Sequence, residues 1–311
     1  MSGLDARRVE GLRSRLTVVR DRLVTAARAA GRDPDALTLI AVSKTRPFED
    51  VVALCSLGVR HFAENREQEA GPKAAAVHAA LAGAGAGAGV PAPGDRIRHP
   101  GLPGGTPGAW FPSRADGPAT LGSPGVLDVP VWHYVGQLQR NKARAVTGWA
   151  HYVQSVDRAR LVETLSRAAT ERGCITAVCI QVNLDQEASP GARPGPGVRK
   201  SLPGGENAPV AGAGGAARGG ALPADVPALA ELVARAEGLV LAGVMAVAPR
   251  GAPSRPAFAR LREVSERLRS DFPAATMVSA GMSGDLEDAV AEGATHLRIG
   301  TALFGERHGV P

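Results

Sequence analysis

Short apolar runs rich in β-branched residues recur along the chain. They are LTLIAVS (37–43), VRHFAEN (59–65), VWHYVG (131–136), HYVQSV (151–156), AVCIQVN (177–183), LVLAGVMAV (239–247), TMVSAG (276–281) and HLRIGTALF (296–304). Near-continuous runs of this kind predict strands buried on both faces. Between them the pattern takes a helical period, over 48–57, 65–80, 137–147, 158–172, 225–237, 254–270 and 284–293. Asp157 and Ser283 stand just before two of these stretches and are predicted N-caps. Strands alternating with helices imply a parallel sheet. Eight of them predict an α/β fold closed as a TIM-like (β/α)8 barrel rather than an open doubly wound sheet. Ahead of the first strand, residues 5–30 put Val9, Leu12, Leu16, Val19 and Leu23 on one face. This predicts an extra N-terminal helix packed on the barrel.

Two stretches break the alternation. Residues 82–130 and 188–218 are rich in Gly, Pro and Ala. They bury too little apolar surface to offset the cost of ordering their backbone, so both are expected to be disordered loop insertions. The 311 residues are then read as a single barrel domain over 1–311. Aromatic residues make up only 4% of the chain, so Ala, Val, Leu and Ile must build the core. No apolar run approaches the ~18 residues of a membrane span, and the charged start, MSGLDARRVE, does not read as a signal peptide. Cys55, Cys174 and Cys179 show no CxxC spacing. They are read as reduced thiols of a cytoplasmic protein, with neither a disulfide framework nor a metal site.

The net charge is +6, and residues 1–32 hold eight Arg against three acids, a local excess of +5. Such an excess suits nucleic acid or a membrane surface. Aromatic residues for base stacking are missing there, and a solvated basic face on an amphipathic helix is the preferred reading. No nucleic-acid or membrane partner is expected.

Active sites of (β/α)8 barrels lie at the carboxyl ends of the strands. That edge is predicted to carry Ser43-Lys44-Thr45, Glu64-Asn65, Gly136-Gln137 with Asn141-Lys142, Ser155-Val156-Asp157, Asn183, Gly281-Met282-Ser283, and Arg298 with Gly300-Thr301. Together they favour a small anionic ligand at one mouth of the barrel. A lysine after a buried strand sits at a partly dry rim, where desolvation and nearby cations free its amine for Schiff-base chemistry. By position alone, the reading of Lys44 as a surface lysine just past a strand would win. Ser283 before a helix and the Arg298–Thr301 segment lie after strands seven and eight, the usual phosphate grip of this fold.

These residues carry a family likeness. The segments are Leu39–Lys44, His61–Asn65 with Gln68-Glu69, WHYVGQLQRNK (132–142), Gln154–Asp157, Gln181–Asn183, Gly243–Met245, Gly281–Ser283 with Asp285, and Arg298–Gly305. Through them the chain resembles the YggS-like pyridoxal phosphate homeostasis proteins, whose barrel is that of fold-type III, alanine-racemase-like proteins. The resemblance implies pyridoxal 5′-phosphate as cofactor, held as a Schiff base on Lys44. It implies Asn65 near the ring and its 3′-hydroxyl, and Met245 and Met282 packed beside the cofactor. Ser283, Gly300 and Thr301 would hold the phosphate, and Arg298 would face the pyridine nitrogen. An arginine there disfavours a proton on that nitrogen and weakens the cofactor as an electron sink. Departures from the family pattern are Ala63 for its usual Gly, Arg66 at an often aromatic position, and a split loop after strand five. Arg218-Gly219-Gly220 looks like the displaced continuation of that loop.

Two functions fit such a chain: a non-catalytic carrier of pyridoxal 5′-phosphate, or an amino-acid racemase of the same fold. Racemases of this fold take a second base from a tyrosine on an added C-terminal β domain, which is expected to be missing because the chain stops soon after strand eight. Tyr134 and Tyr152 lie inside predicted strands, as does His133. A carrier involved in vitamin B6 homeostasis is the preferred reading, a monomer with apo-enzymes that need the cofactor as possible recipients. A barrel binding another phosphate ester is a third reading, one that leaves Lys44 no covalent role.

Overall fold

The computed structural model describes residues 6–83, 130–185 and 219–306. Eight parallel strands form a closed barrel in sequence order. They are β1 (Thr38–Val42), β2 (His61–Glu64), β3 (Val131–Tyr134), β4 (Tyr152–Val156), β5 (Thr176–Gln181), β6 (Leu239–Met245), β7 (Met277–Ser279) and β8 (His296–Ile299). Pairing of β8 with β1, Arg298 opposite Ile40 and Ile299 opposite Ala41, closes the ring. Around it lie α1 (Ala6–Ala29), α2 (Phe48–Ser56), α3 (Glu67–Gly83), α4 (Ala143–Val146), α5 (Ala159–Arg172), α6 (Val226–Arg235), α7 (Ser254–Asp271), α8 (Leu286–Ala291) and α9 (Thr301–Phe304). Every predicted strand is present. The eighth is shorter than its apolar run, because the chain turns at Gly300 and Thr301–Phe304 coil into α9. Of the two predicted insertions, 82–83 finish α3 and 130 leads into β3; the rest lies outside the described residues.

Strand alternation divides the core into two layers. Ala41, Phe62, Trp132, Val153, Val178, Val244, Val278 and Leu297 face outward and pack under the helices. Ile40, Ala63, Val131, Tyr152, Ala177, Cys179, Met245 and Met277 fill the barrel interior. Strand β4 breaks phase between Val153 and Val156, and β6 does so nearer the site. In β6, Ala242 and Met245 both face inward, three residues apart. The register against β5 shifts here, with Val178 opposite Leu241 but Cys179 opposite Gly243. Gly243 absorbs the extra residue at φ 149°, and a Cβ on it would lie 1.9 Å from the Met277 carbonyl oxygen. Only glycine fits such a bulge, and the bulge turns Met245 into the barrel.

Helix α1 docks through its apolar stripe, with Leu12, Leu16, Val19 and Leu23 buried. Its arginines depart from the expected solvated face. Arg8 pairs with buried Asp50. Arg15 donates to the Leu303 carbonyl and Arg20 to that of Leu57, and Arg32, just beyond the helix, donates to those of Val290 and Ala294. Arg22 pairs with Glu287 and donates to the Ser283 carbonyl. Much of the basic excess therefore straps the helix to the barrel by satisfying carbonyls at helix ends and loops.

Candidate functional site

The alternation that fills the barrel also decides what reaches its mouth. Continuing the inward series Ile40, Val42 places Lys44 over the mouth. The series His61, Ala63 does the same for Asn65, and His296, Arg298 for Gly300. Gly300 lies against Val42, its would-be Cβ 3.6 Å from both the Val42 Cβ and carbonyl oxygen. The ends of β1 and β8 are thus adjacent, and Lys44 rises beside Gly300-Thr301. Sequence position alone put Ser43 and Glu64 on the same rim; the opposite parity turns both away from it. Ser43 Oγ donates to Glu64 Oε1 at 2.8 Å, and Lys73 of α3 donates to that same oxygen at 2.7 Å and to the Ser43 carbonyl at 2.8 Å. Burial pushes the Glu64 carboxyl upward, outweighing the opposing pull of Lys73 and Ser43. This buried cluster pins β1 to β2 one residue before Lys44.

The next residue, Thr45, has φ 63°. It is the one non-glycine residue with positive φ among the described residues, and a β-branched side chain is poorly suited to that region. Its hydroxyl donates back to the Lys44 carbonyl at 2.6 Å. Backbone strain of about 1–3 kcal/mol held directly beside a lysine is a mark of a functional site.

On that same side of the mouth, Ser283 and α9 meet. The Ala302 amide donates to Ser283 Oγ at 3.2 Å, so the hydroxyl proton stays available to an anion. Neither predicted cap forms. The residue capping α8 is Asp285, whose carboxylate accepts from the Met282 amide at 2.6 Å, leaving Ser283 in the preceding turn. Asp157 pairs with Arg158, and Arg158 stands at the cap of α5. Met245 is buried in the interior, whereas Met282 is 41% exposed on the loop after β7. Arg298 is 5% exposed. It donates from Nη1 to Ser279 Oγ at 2.7 Å and from Nη2 to the Ala246 carbonyl at 2.8 Å. Burial lowers it to about 10, which leaves it a cation at neutral pH. Asn65 Oδ1 is buried and has no hydrogen-bond partner among the described residues.

The far side of the mouth is built by the chain after the second insertion. Gly219-Gly220-Ala221 runs beside the end of β5, where Gln181 donates to the Gly219 carbonyl at 2.6 Å. The Asn183 amide donates to the Ala221 carbonyl at 2.9 Å. Gly219 and Gly220 thus continue the loop after strand five, as their sequence suggested; Arg218 lies outside the described residues. Lys73 and Ser279 were not singled out from sequence, while Thr45 was placed at the polar edge and Gln154 in a family segment without a role being given to either. Counting inward positions along β4 and β7 finds Gln154 and Ser279; nothing local in the sequence marks Lys73.

Residues 212–308 match the family described as alanine racemase, N-terminal domain. A Mycobacterium tuberculosis protein named pyridoxal phosphate homeostasis protein is 35% identical over 298 residues, which cover 94% of this chain and 91% of that one. Among solved structures, a protein of unknown function from Bifidobacterium adolescentis is similar with a TM-score of 0.71 and 26% identity, covering 97% of both chains. PipY of Synechococcus elongatus, in the structure described as having PLP bound, is similar with a TM-score of 0.60 and 28% identity, covering 94% of this chain and all of the other. With its closed eight-stranded barrel and this extent of identity, the chain belongs to the family of pyridoxal phosphate homeostasis proteins.

Proposed function

We propose that this protein binds pyridoxal 5′-phosphate in the mouth of its barrel and carries it, without catalysis, as part of cofactor homeostasis. The observation that carries the reading is the convergence of four features at one mouth. These are a lysine braced by a strained residue, a buried guanidinium beneath it, a buried Asn65 oxygen without a partner, and a serine hydroxyl with its proton to give. The residues present fit the group. Lys44 would condense with the cofactor's aldehyde, its two amine protons leaving with the carbonyl oxygen as water. Asn65 would accept from the ring hydroxyl, and Arg298 would face the pyridine nitrogen. Ser283, Gly300 and Thr301 would hold the phosphate, with Met245 beneath and Met282 at the rim. When bound, the cofactor supplies an electron sink for amino-acid chemistry, and a cation at its ring nitrogen weakens that sink.

The carrier reading is favoured over a racemase by where the other acid–base groups sit. Tyr152 is buried in the barrel, stacked on His133 with ring centroids 4.5 Å apart, and burial pushes its phenol upward. Tyr134 faces the outer core and donates to the Gln137 carbonyl at 3.3 Å. Both ring nitrogens of His133 are engaged. Cys55 and Cys179 are buried and Cys174 is partly so, all three free thiols, which suits a reducing, cytoplasmic setting. Among the described residues no helix is long and apolar enough to cross a membrane. We take the protein to act as a monomer and a single domain, with 82–130 and 188–218 as insertions and apo-enzymes as recipients.

Borohydride reduction followed by peptide mapping tests the reading. A pyridoxyl group on the Lys44 peptide is the expected result. Protein that takes up no cofactor, or Lys44→Ala protein that retains it equally well, would refute it. Racemisation of a common amino acid at about 1 per second or faster would replace the carrier by an enzyme.

A further inference from the structure

Five inward-facing side chains from β2, β3, β4, β7 and β8 touch in series through the barrel. Below Arg298, Ser279 Oγ donates to Gln154 Oε1 at 2.7 Å. The Gln154 amide nitrogen lies 2.8 Å from His133 Nδ1, and His133 Nε2 lies 2.9 Å from His61 Nδ1. His133, Gln154 and Ser279 are fully buried.

Donor counting fixes the direction of this chain. A guanidinium can only donate, so Ser279 Oγ accepts from Arg298 and directs its own proton to Gln154. The amide nitrogen of Gln154 can only donate, so His133 Nδ1 must accept. A neutral imidazole carries one proton, which therefore sits on His133 Nε2 and points to His61 Nδ1. Every link runs away from Arg298. No single member can turn round without leaving a buried donor facing a donor, which is costly in a medium of low dielectric.

We propose that Ser279, Gln154 and His133 are positioning residues for Arg298: their one-way chain fixes the rotation of its guanidinium and so holds a cation against the ring nitrogen of the bound cofactor. The proposal rests on the cofactor reading given above and deepens it. Arg298 is a long side chain, and its bond to the Ala246 carbonyl alone would allow it to pivot. Ser279 supplies a second fixed point on another strand. The orientation of the Ser279 lone pairs depends in turn on Gln154, and that of Gln154 on the tautomer of His133. The consequence is a ring nitrogen kept unprotonated, and a cofactor held as cargo rather than primed for carbanion chemistry.

The test uses 15N NMR of the full chain with labelled arginine and histidine. In cofactor-free protein, Arg298 should show two resolved, slowly exchanging Nη signals. They should collapse to one in Ser279→Ala and in Gln154→Leu, which does not touch Arg298, and return in Ser279→Thr. Resolved signals surviving in both disrupted variants would overturn the proposal. So would a proton on His133 Nδ1 in the unaltered protein, a measurement that needs no variant to fold. With 15N-labelled cofactor loaded, the ring nitrogen should keep the shift of an unprotonated pyridine between pH 8 and 6. In the two disrupted variants it should move toward the protonated position, and an unmoved resonance in both also counts against the chain. Protein that takes up no cofactor defeats the reading of the site, while the arginine signals still decide the chain.

Discussion

The buried histidines make folding sensitive to mild acid. His61, His133 and His296 cluster in the barrel, with the His61 ring 5.2 Å from that of His133 and 6.2 Å from that of His296. Burial lowers His61 to about 4 and His296 to about 3, with repulsion from His151 adding to the first and repulsion from His61 adding to the second. Burial and neighbouring cations push His133 well below its ordinary value as well. In the unfolded chain each imidazole titrates near 6.5. Between pH 6.5 and 4 the unfolded state therefore binds more protons than the folded one, and stability falls as pH falls. At pH 5, about 1.5 units below the unfolded value, His61 and His296 each cost about 2 kcal/mol. The two together cost about 4 kcal/mol, with a limiting slope of about 3 kcal/mol per pH unit, and His133 acts in the same direction. That loss is a large part of the stability of an ordinary domain, about 5–15 kcal/mol. Glu64 opposes it weakly, because its raised carboxyl takes up a proton earlier in the folded state than in the unfolded.

Urea unfolding followed by the fluorescence of buried Trp132 and Trp149 at pH 7.5, 6.0, 5.5 and 5.0 measures that slope. His61→Gln keeps an acceptor for His133 and removes one titrating group, as does His296→Gln at its own site. Each should flatten the slope by about 1.4 kcal/mol per pH unit. A stability that stays level between pH 6 and 5, or a slope untouched by both substitutions, would refute the reasoning.

Three further outcomes follow from the same geometry. Lys73→Met leaves Glu64 buried without its cation and should cost about 3–5 kcal/mol in urea unfolding, with most of it recovered in the Lys73→Met/Glu64→Gln double variant. Gly243→Ala places a Cβ 1.9 Å from the Met277 carbonyl oxygen and should lower stability by more than about 3 kcal/mol, seen as a lowered melting temperature or insoluble expression. Ser283→Ala removes a hydroxyl donor to the proposed phosphate site and should weaken cofactor binding about tenfold or more in a fluorescence titration, with stability changed by about 1 kcal/mol or less.

The barrel was legible because its strands are buried on both faces and its helices on one, so the period of the apolar pattern changes at each element. Lys44 and Arg298 were legible for a related reason: each stands where an apolar strand meets polar residues. Parity was harder to read. Ser43 and Glu64 sit at the same edge in sequence as Lys44 and Asn65, yet face the other way, and only the register of a real sheet separates them. The bulge at Gly243 shows the same limit, since strict alternation from Ala242 would send Met245 outward. Lys73 lies on a helix whose sequence carries no sign that its amine will reach a carboxylate nine positions earlier. The arginines of residues 1–32 read as solvated because nothing in their own segment shows the carbonyls of Leu57, Val290 and Leu303 that they reach.

The two parities act together on Lys44. On the outer face, the Ser43–Glu64–Lys73 cluster fixes the strand from which the lysine springs. On the inner face, Arg298 and the chain beneath it fix the floor. General acid–base catalysis needs a group poised near the working pH. Among the interior groups, His61 and His296 lie at about 4 and 3, Arg298 at about 10, and Cys179 at about 12, each driven there chiefly by burial. The dryness that holds Arg298 rigid thus also moves these neighbouring groups away from neutral pH. A rigid floor under a single amine suits the reversible retention proposed above, and burial moves these interior groups away from the neutral range that a second base needs.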